Sequence, residues 1–106
     1  KLDNLVVIVD NNGLQIDGSV ADVMSPYPIV DKLEAFGFHV MAIDGHDFDA
    51  IEGALALARE SDKPFCIVAK TVKGKGVSFI ENNKSWHQAV MNDTQYNQAI
   101  EEINKA

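Results

Sequence analysis

Hydrophobic residues fall along this chain in short blocks separated by polar stretches. Leu5 to Val9 (LVVIV) is a continuous aliphatic run dominated by β-branched residues, the pattern of a strand buried on both faces of a parallel sheet. The polar stretch Asp10 to Gly18 follows and reads as a loop. Ser25-Pro26-Tyr27-Pro28 then offers a capping hydroxyl and prolines suited to a first helical turn. Ile29, Leu33 and Phe36 share one helical face, and Gly37 is a fitting stop. Phe38 to Ile43 (FHVMAI) reads as a second strand, and Asp44-Gly45-His46-Asp47 as a turn into a second helix. That helix carries Phe48, Ile51, Leu55 and Ala58 on one face. Asp47 and Asp49 sit at its positive end and Arg59 at its negative end, as the helix dipole prefers. Asp62-Lys63-Pro64 ends it. Phe65 to Ala69 (FCIVA) is a third strand. Tyr96, Ile100 and Ile103 mark the face of a last helix, capped by Asp93 or Thr94.

The order strand, helix, strand, helix, strand, long loop, helix predicts an α/β fold, a parallel sheet flanked by helices with right-handed crossovers. Three strands make a narrow sheet with two exposed edges, so neighbouring strands are expected outside this chain. The chain also opens without Met, on Lys1-Leu2-Asp3-Asn4 directly before a strand. It reads as a piece of something longer.

Composition narrows the function. A chain of 106 residues is one small domain with a modest core. Its hydrophobic content of 46% and charged content of 24% are those of an ordinary globular protein. The net charge of −7 argues against a nucleic-acid partner, which needs a lysine and arginine surplus, and against an anionic membrane surface. No apolar run approaches the ~20 residues of a membrane span, and no signal peptide is visible. The single cysteine, Cys66, lies inside an apolar strand and reads as a buried structural thiol. No internal disulfide framework is available to it, so a reducing, cytoplasmic setting is expected.

Ligands of open α/β sheets bind beyond the carboxyl ends of the strands, where three segments stand. Asp10-Asn11-Asn12-Gly13 presents amide and main-chain carbonyl oxygens suited to Mg²⁺ or Ca²⁺, although its spacing alone favours an ordinary Asx turn. Asp44-Gly45-His46-Asp47 holds a lone histidine with no second ligand at metal spacing, which favours a structural role. Lys70-Thr71-Val72-Lys73-Gly74-Lys75-Gly76 sets lysines between glycines and leads to Ser85-Trp86-His87. It suits a diphosphate as well as it suits a solvated basic loop. Its glycine spacing is not that of a Walker A motif. His87 is a candidate general acid-base group.

Together, and in this order, the segments resemble the thiamine-diphosphate-binding domain of the transketolase family. Leu5 to Gly18 (LVVIVDNNGLQIDG) resembles the second half of the family's cofactor motif. Phe36-Gly37-Phe38-His39-Val40 through Ile43-Asp44-Gly45-His46 resembles its next strand and turn. Lys70-Thr71-Val72-Lys73-Gly74-Lys75-Gly76-Val77 through Ser85-Trp86-His87 resembles its next loop. The resemblance runs to about residue 93.

The resemblance implies thiamine diphosphate as cofactor, with Mg²⁺ or Ca²⁺. Asn12 corresponds to a side-chain amide ligand of the ion, and Leu14 to a residue giving it a main-chain carbonyl. Ile16 corresponds to an apolar contact near the thiamine. Lys73 corresponds to a basic residue near cofactor and substrate. His87 corresponds to a histidine reaching the cofactor and the sugar hydroxyls. The implied reaction moves a two-carbon ketol unit from a ketose phosphate to an aldose phosphate, as in the pentose phosphate pathway. The cofactor carries the difficult bond making and breaking, and an imidazole such as that of His87 suits proton transfer near neutral pH. Residues 1–106 would then be a partial cofactor domain. They contain neither the family's upstream Gly-Asp-Gly ligand motif nor its pyrimidine-binding domain or subunit, so the chain alone is expected to be inactive. A dimer, homo- or hetero-oligomeric, is implied. Gln88 stands where the family has glycine after Trp-His. Two alternatives are a deoxyxylulose-phosphate-synthase-like enzyme and a non-catalytic α/β interaction module. A small-molecule regulatory domain rests on fold alone.

Overall fold

The computed structural model describes residues 2–105; Lys1 and Ala106, the ends of the expected domain, lie outside the described residues. In chain order the elements are β1 (Val6–Asn11), β2 (Leu14–Gln15), β3 (Gly18–Ser19), α1 (Val20–Met24), α2 (Ile29–Ala35), β4 (His39–Asp44), α3 (Phe48–Arg59), β5 (Phe65–Lys70), a 3-10 helix (Lys84–Gln88) and α4 (Asp93–Ile103). They divide into two compact units. One comprises the chain up to Asn12 together with residues 25–71, the other residues 13–24 and the chain from Val72 onward.

The first unit is the expected parallel sheet flanked by helices. Its strand order is β1-β5-β4, parallel throughout. β5 is central, and Phe65, Cys66, Ile67, Val68 and Ala69 are all buried. An uninterrupted apolar sequence suits a strand covered on both faces. α3 seats Ala54 and Ala58 against Phe65 and Ile67, with Met41 and Ile43 packed at the margin. Alanine at the contact lets helix and sheet approach closely. The predicted α3 face is therefore only partly the buried one: Phe48 is 85% and Leu55 38% exposed. β1 also departs from expectation. It is an edge strand, and Val6 and Ile8 are 41% and 63% exposed. α3 contacts β4 and the central strand, so the doubly buried pattern belongs to β5 rather than β1.

Helix ends follow local chemistry. Asp47 caps α3, its carboxylate accepting from the Asp49 and Ala50 amides at 3.0 and 3.2 Å. α2 stops at Gly37 (φ +89°), where the Gly37 and Phe38 amides donate to the Glu34 and Leu33 carbonyls at 2.8 and 3.1 Å. That double bond pattern is a Schellman ending. Ser25 does not cap α2. The helix begins at Ile29 after Pro28, without a side-chain cap. Lys32 Nζ instead holds the entry, donating to the Pro26 and Tyr27 carbonyls at 2.7 and 3.0 Å.

The second unit holds what the hydrophobic pattern missed. The expected loop after β1 contains an antiparallel hairpin, β2 with β3, pairing Leu14 with Ser19 and Gln15 with Gly18. It runs directly into α1. Strands this short leave no periodicity to read. α4 begins one residue earlier than expected. Asn92 accepts from the Gln95 amide at 2.9 Å while Gln95 Oε1 accepts from the Asn92 amide at 3.1 Å, a capping box. Its apolar stripe is not the buried one. Tyr96, Ile100 and Ile103 are 57%, 41% and 55% exposed, while Ala99 is buried. Gln95 and Glu102, on the same face as Ala99, are half-buried. No helix among the described residues is long and apolar enough to cross a membrane.

Candidate functional site

All strands of the parallel sheet end level. Asn11 is in register with Lys70, and Lys70 with Asp44. The chain leaves this carboxyl edge at Asn12, Gly45 and Thr71. Asp10 does not close its strand, because β1 continues to Asn11. The Asp10 carboxylate accepts a short hydrogen bond from the Thr71 hydroxyl. Asn11 Oδ1 accepts from the Tyr27 hydroxyl at 3.0 Å. Both the acidic and the amide group of the strand end are thus engaged by residues of the first unit. Asn12, half-buried, is the next residue outward.

Gly45 explains its own motif. Its amide donates to the Lys70 carbonyl at 2.8 Å, and a Cβ there would meet Thr71 Cγ2 at 2.5 Å and Ala69 Cβ at 3.0 Å. Only glycine lets the turn after β4 cross so close to the end of β5. His46 follows, its amide donating to the Asp44 carboxylate at 2.9 Å.

In the second unit, Gly13 has φ +74° with open space where a Cβ would stand. Leu14 follows as the first residue of β2, half-buried, and its partner is Ser19. Ile16 sits at the hairpin turn, 62% exposed. Lys84 Nζ donates to the Asp17 carbonyl at 2.7 Å, fastening the hairpin turn to the start of the 3-10 helix. That helix carries His87, whose side chain is exposed. Asn83 caps it by accepting from the Ser85 amide at 3.0 Å. Trp86 packs against Phe79 with ring centroids 5.3 Å apart. Gln88 lies within the 3-10 helix with no left-handed backbone, so this position accommodates a side chain.

Residues 72–83 close on themselves. The Val77 amide donates to the Gly74 carbonyl at 3.1 Å, and the Asn82 amide to the Lys73 carbonyl at 3.0 Å. The Gly76 amide donates to Glu81 Oε1 at 2.9 Å. Gly74 takes φ +71° directly beneath Ile80, whose Cγ2 would lie 2.2 Å from an added Cβ. Lys73 is half-buried at the root of this loop.

Of the residues singled out from sequence, Leu14, Ile16, Lys73 and His87 belong to the second unit, and Asn12 ends a segment of the first. The oxygens offered beside Gly13 are an amide and main-chain carbonyls, hard donors that fit a divalent cation bound to a diphosphate. Among the described residues no group of three or more His, Cys, Asp or Glu is gathered to hold a metal. Sequence reasoning passed over Tyr27, Lys84, Ser78 and Glu102. Each acts through a contact distant in sequence, which no local pattern announces.

The comparisons with known proteins converge on one family. A family model described as transketolase, thiamine diphosphate binding domain, matches residues 1–104. One of the subunits of apulose-4-phosphate transketolase from Phocaeicola vulgatus is 39% identical over 106 residues, which span 99% of this chain and 38% of that protein. Human transketolase is 38% identical over 104 residues, 97% of this chain and 16% of that protein. The crystal structure of transketolase from Campylobacter jejuni superposes with a TM-score of 0.91 at 36% identity, covering 98% of this chain and 16% of that one. The chain therefore spans well under half the length of these relatives.

Proposed function

Because this chain belongs to the transketolase thiamine-diphosphate-binding family, we propose that it contributes part of the cofactor site of an enzyme moving a two-carbon ketol unit between sugar phosphates. The observation that carries the reading is the joint placement of the hairpin bearing Leu14 and Ile16, the Lys73 loop and the His87 helix in one compact unit. The Lys84–Asp17 hydrogen bond joins hairpin and helix directly.

The roles follow from the donor chemistry. Asn12 Oδ1 and the Leu14 carbonyl hold two positions of a divalent ion, Mg²⁺ or Ca²⁺. A carboxylate from outside residues 1–106 completes the set. Ile16, exposed at the hairpin turn, gives an apolar surface to an aromatic ring. Lys73 brings positive charge to a diphosphate or a sugar phosphate. The His87 imidazole exchanges a proton with a sugar hydroxyl. When bound, thiamine diphosphate supplies the carbon nucleophile that the side chains lack.

Residues 1–106 are in this reading a partial cofactor domain, working with a pyrimidine-binding domain or subunit in a homo- or hetero-oligomer. The Phocaeicola vulgatus relative is itself named as one subunit of its transketolase, which supports a hetero-oligomeric partner. A reducing, cytoplasmic setting belongs to the same reading.

Calorimetric titration of the chain with Mg²⁺ and thiamine diphosphate is expected to show only weak binding, and micromolar affinity would refute the partial-site reading. In the assembled enzyme, Asn12→Ala should raise the metal concentration needed for half-maximal activity. His87→Ala should lower turnover by roughly 10²–10⁴-fold, the usual contribution of a placed acid-base group. Unchanged ketol transfer in both variants would favour the non-catalytic interaction module.

A further inference from the structure

α4 turns Gln95, Ala99 and Glu102 inward and leaves its apolar stripe of Tyr96, Ile100 and Ile103 exposed. The inward face carries buried Ala99 and, beside it, one polar contact to the loop. That contact is the Glu102 carboxylate. Oε2 accepts from the Ser78 amide at 2.6 Å, and Oε1 from the Ser78 hydroxyl at 2.7 Å. Gln98, one turn earlier, donates its Nε2 to Oε1 at 2.7 Å and holds the carboxylate in line. Hydrogen bonds to a charged acceptor are the short, strong kind, and two of them here converge on one residue of a loop.

Ser78 lies between Lys73 and His87 in the chain, nearer Lys73. Its neighbour Val77 is buried and anchors the loop's turns, accepting from the Ile80 and Glu81 amides at 2.9 and 3.1 Å. The Asn82 amide then closes on Lys73, and Asn83 leads into the His87 helix. The path from carboxylate to both candidate site residues runs through hydrogen bonds and adjacent residues, all in one compact unit.

We infer that Glu102 is a positioning residue, which fixes the loop of residues 72–83 through Ser78 and so sets the places of Lys73 and His87. The inference rests on the cofactor-site reading for its functional consequence, but the attachment itself does not. Hydrogen exchange of the unliganded chain tests the attachment. Glu102→Ala is expected to speed exchange of the Gly76, Ser78 and Asn82 amides about tenfold or more while the β5 amides keep their protection. Glu102→Gln, which retains an acceptor oxygen, should restore part of the protection. Unchanged loop exchange in Glu102→Ala overturns the proposal, and so does equal loosening of loop and sheet.

The second arm uses the assembled enzyme with Mg²⁺, thiamine diphosphate and a ketose phosphate. Glu102→Ala should raise KM for the sugar phosphate and the cofactor concentration for half-saturation several-fold, with Glu102→Gln intermediate and kcat changed less. Unchanged values beside a strong effect of Lys73→Ala would overturn the positioning role and leave the site reading standing. Unchanged values in Lys73→Ala and His87→Ala as well would remove the site reading and the positioning role together.

Discussion

Gly74 gives the sharpest test of the second unit, because two penalties meet there and can be separated. Replacing it with alanine puts an L residue at φ +71° and a Cβ 2.2 Å from Ile80 Cγ2, 2.9 Å from Ile80 Cβ and 3.0 Å from its carbonyl carbon. The methyl group could rotate aside, but the Cβ and the main chain cannot. Gly13→Ala supplies the control: φ is +74° and nothing lies within 4 Å of the new Cβ. The left-handed backbone alone costs roughly 1–2 kcal/mol for an L residue. Reduced freedom of the unfolded chain returns about 0.4–1 kcal/mol, leaving Gly13→Ala near 1 kcal/mol. Overpacking adds about 1–3 kcal/mol, which brings Gly74→Ala to about 2–4 kcal/mol. With a urea slope of about 1.5 kcal/mol/M, the difference between the two variants is a midpoint shift of about 0.7–2 M. Trp86, the single tryptophan, lies in the same unit as both glycines and against Phe79, so its fluorescence follows the relevant transition. Equal midpoints for the two variants would refute the close packing of Ile80 over Gly74.

Other outcomes follow from the same geometry. Gly45→Ala, with no positive φ, should still destabilise by about 1–2 kcal/mol through overpacking, because Thr71, 2.5 Å from the new Cβ, is tied to Asp10 by its hydroxyl; urea denaturation followed by circular dichroism reads this. Asp47→Ala removes an acceptor of two amides at the start of α3 and should cost about 1 kcal/mol in the same assay. Gln98 first, and then the Ser78 amide and hydroxyl, hold the Glu102 carboxyl below its ordinary value of 4.5. Its contribution is therefore complete above that value and is lost as pH falls through the lower folded value, so exchange protection at Ser78 should fade on acidification in the native chain but be pH-independent in Glu102→Ala. Burial pushes the Cys66 thiol above its ordinary value of 9.0, so its stabilising contribution is present at neutral pH and declines as pH rises past that value; a thiol reagent at pH 8 should label it quickly only in urea.

Much of this fold was legible because the sequence repeats one message at several levels. FCIVA carries no polar residue and became the central strand, buried on both faces. Gly37 and Asp47 stand where helix-end chemistry asks for them, and the bonds are there. LVVIV carries the same message as FCIVA, yet became a half-exposed edge. Apolar content shows what a strand can bury, while strand order shows what it does bury, and order is a nonlocal property. The hairpin of Leu14 to Ser19 was illegible for the opposite reason. Its strands are too short for alternation, and its form depends on Gly13 and on the Val20 amide donating to the Gly13 carbonyl at 3.0 Å.

α4 shows how periodicity points to the wrong face. Tyr96, Ile100 and Ile103 form the apolar stripe that the helical period selects, and burying such a stripe is worth about 25 cal/mol per Å². That gain exists only where another apolar surface is supplied. Within the second unit the loop offers Ser78 instead, an amide and a hydroxyl that leave a carboxylate as the best partner. Glu102 meets both donors, Gln98 orients it, and Ala99 is small enough to let the helix come close. The candidate site follows the same logic. Asn12, Leu14, Ile16, Lys73 and His87 are named by the resemblance of short motifs to those of a family, whereas the groups that hold the hairpin and loop in shape are not. Lys84 reaches Asp17 across 67 positions and Glu102 reaches Ser78 across 24, and in each case a charged side chain binds a polar group that carries no pattern of its own. The chemistry of such a site is written in short motifs, whereas its rigidity is written in long-range pairs that appear only once the chain has folded.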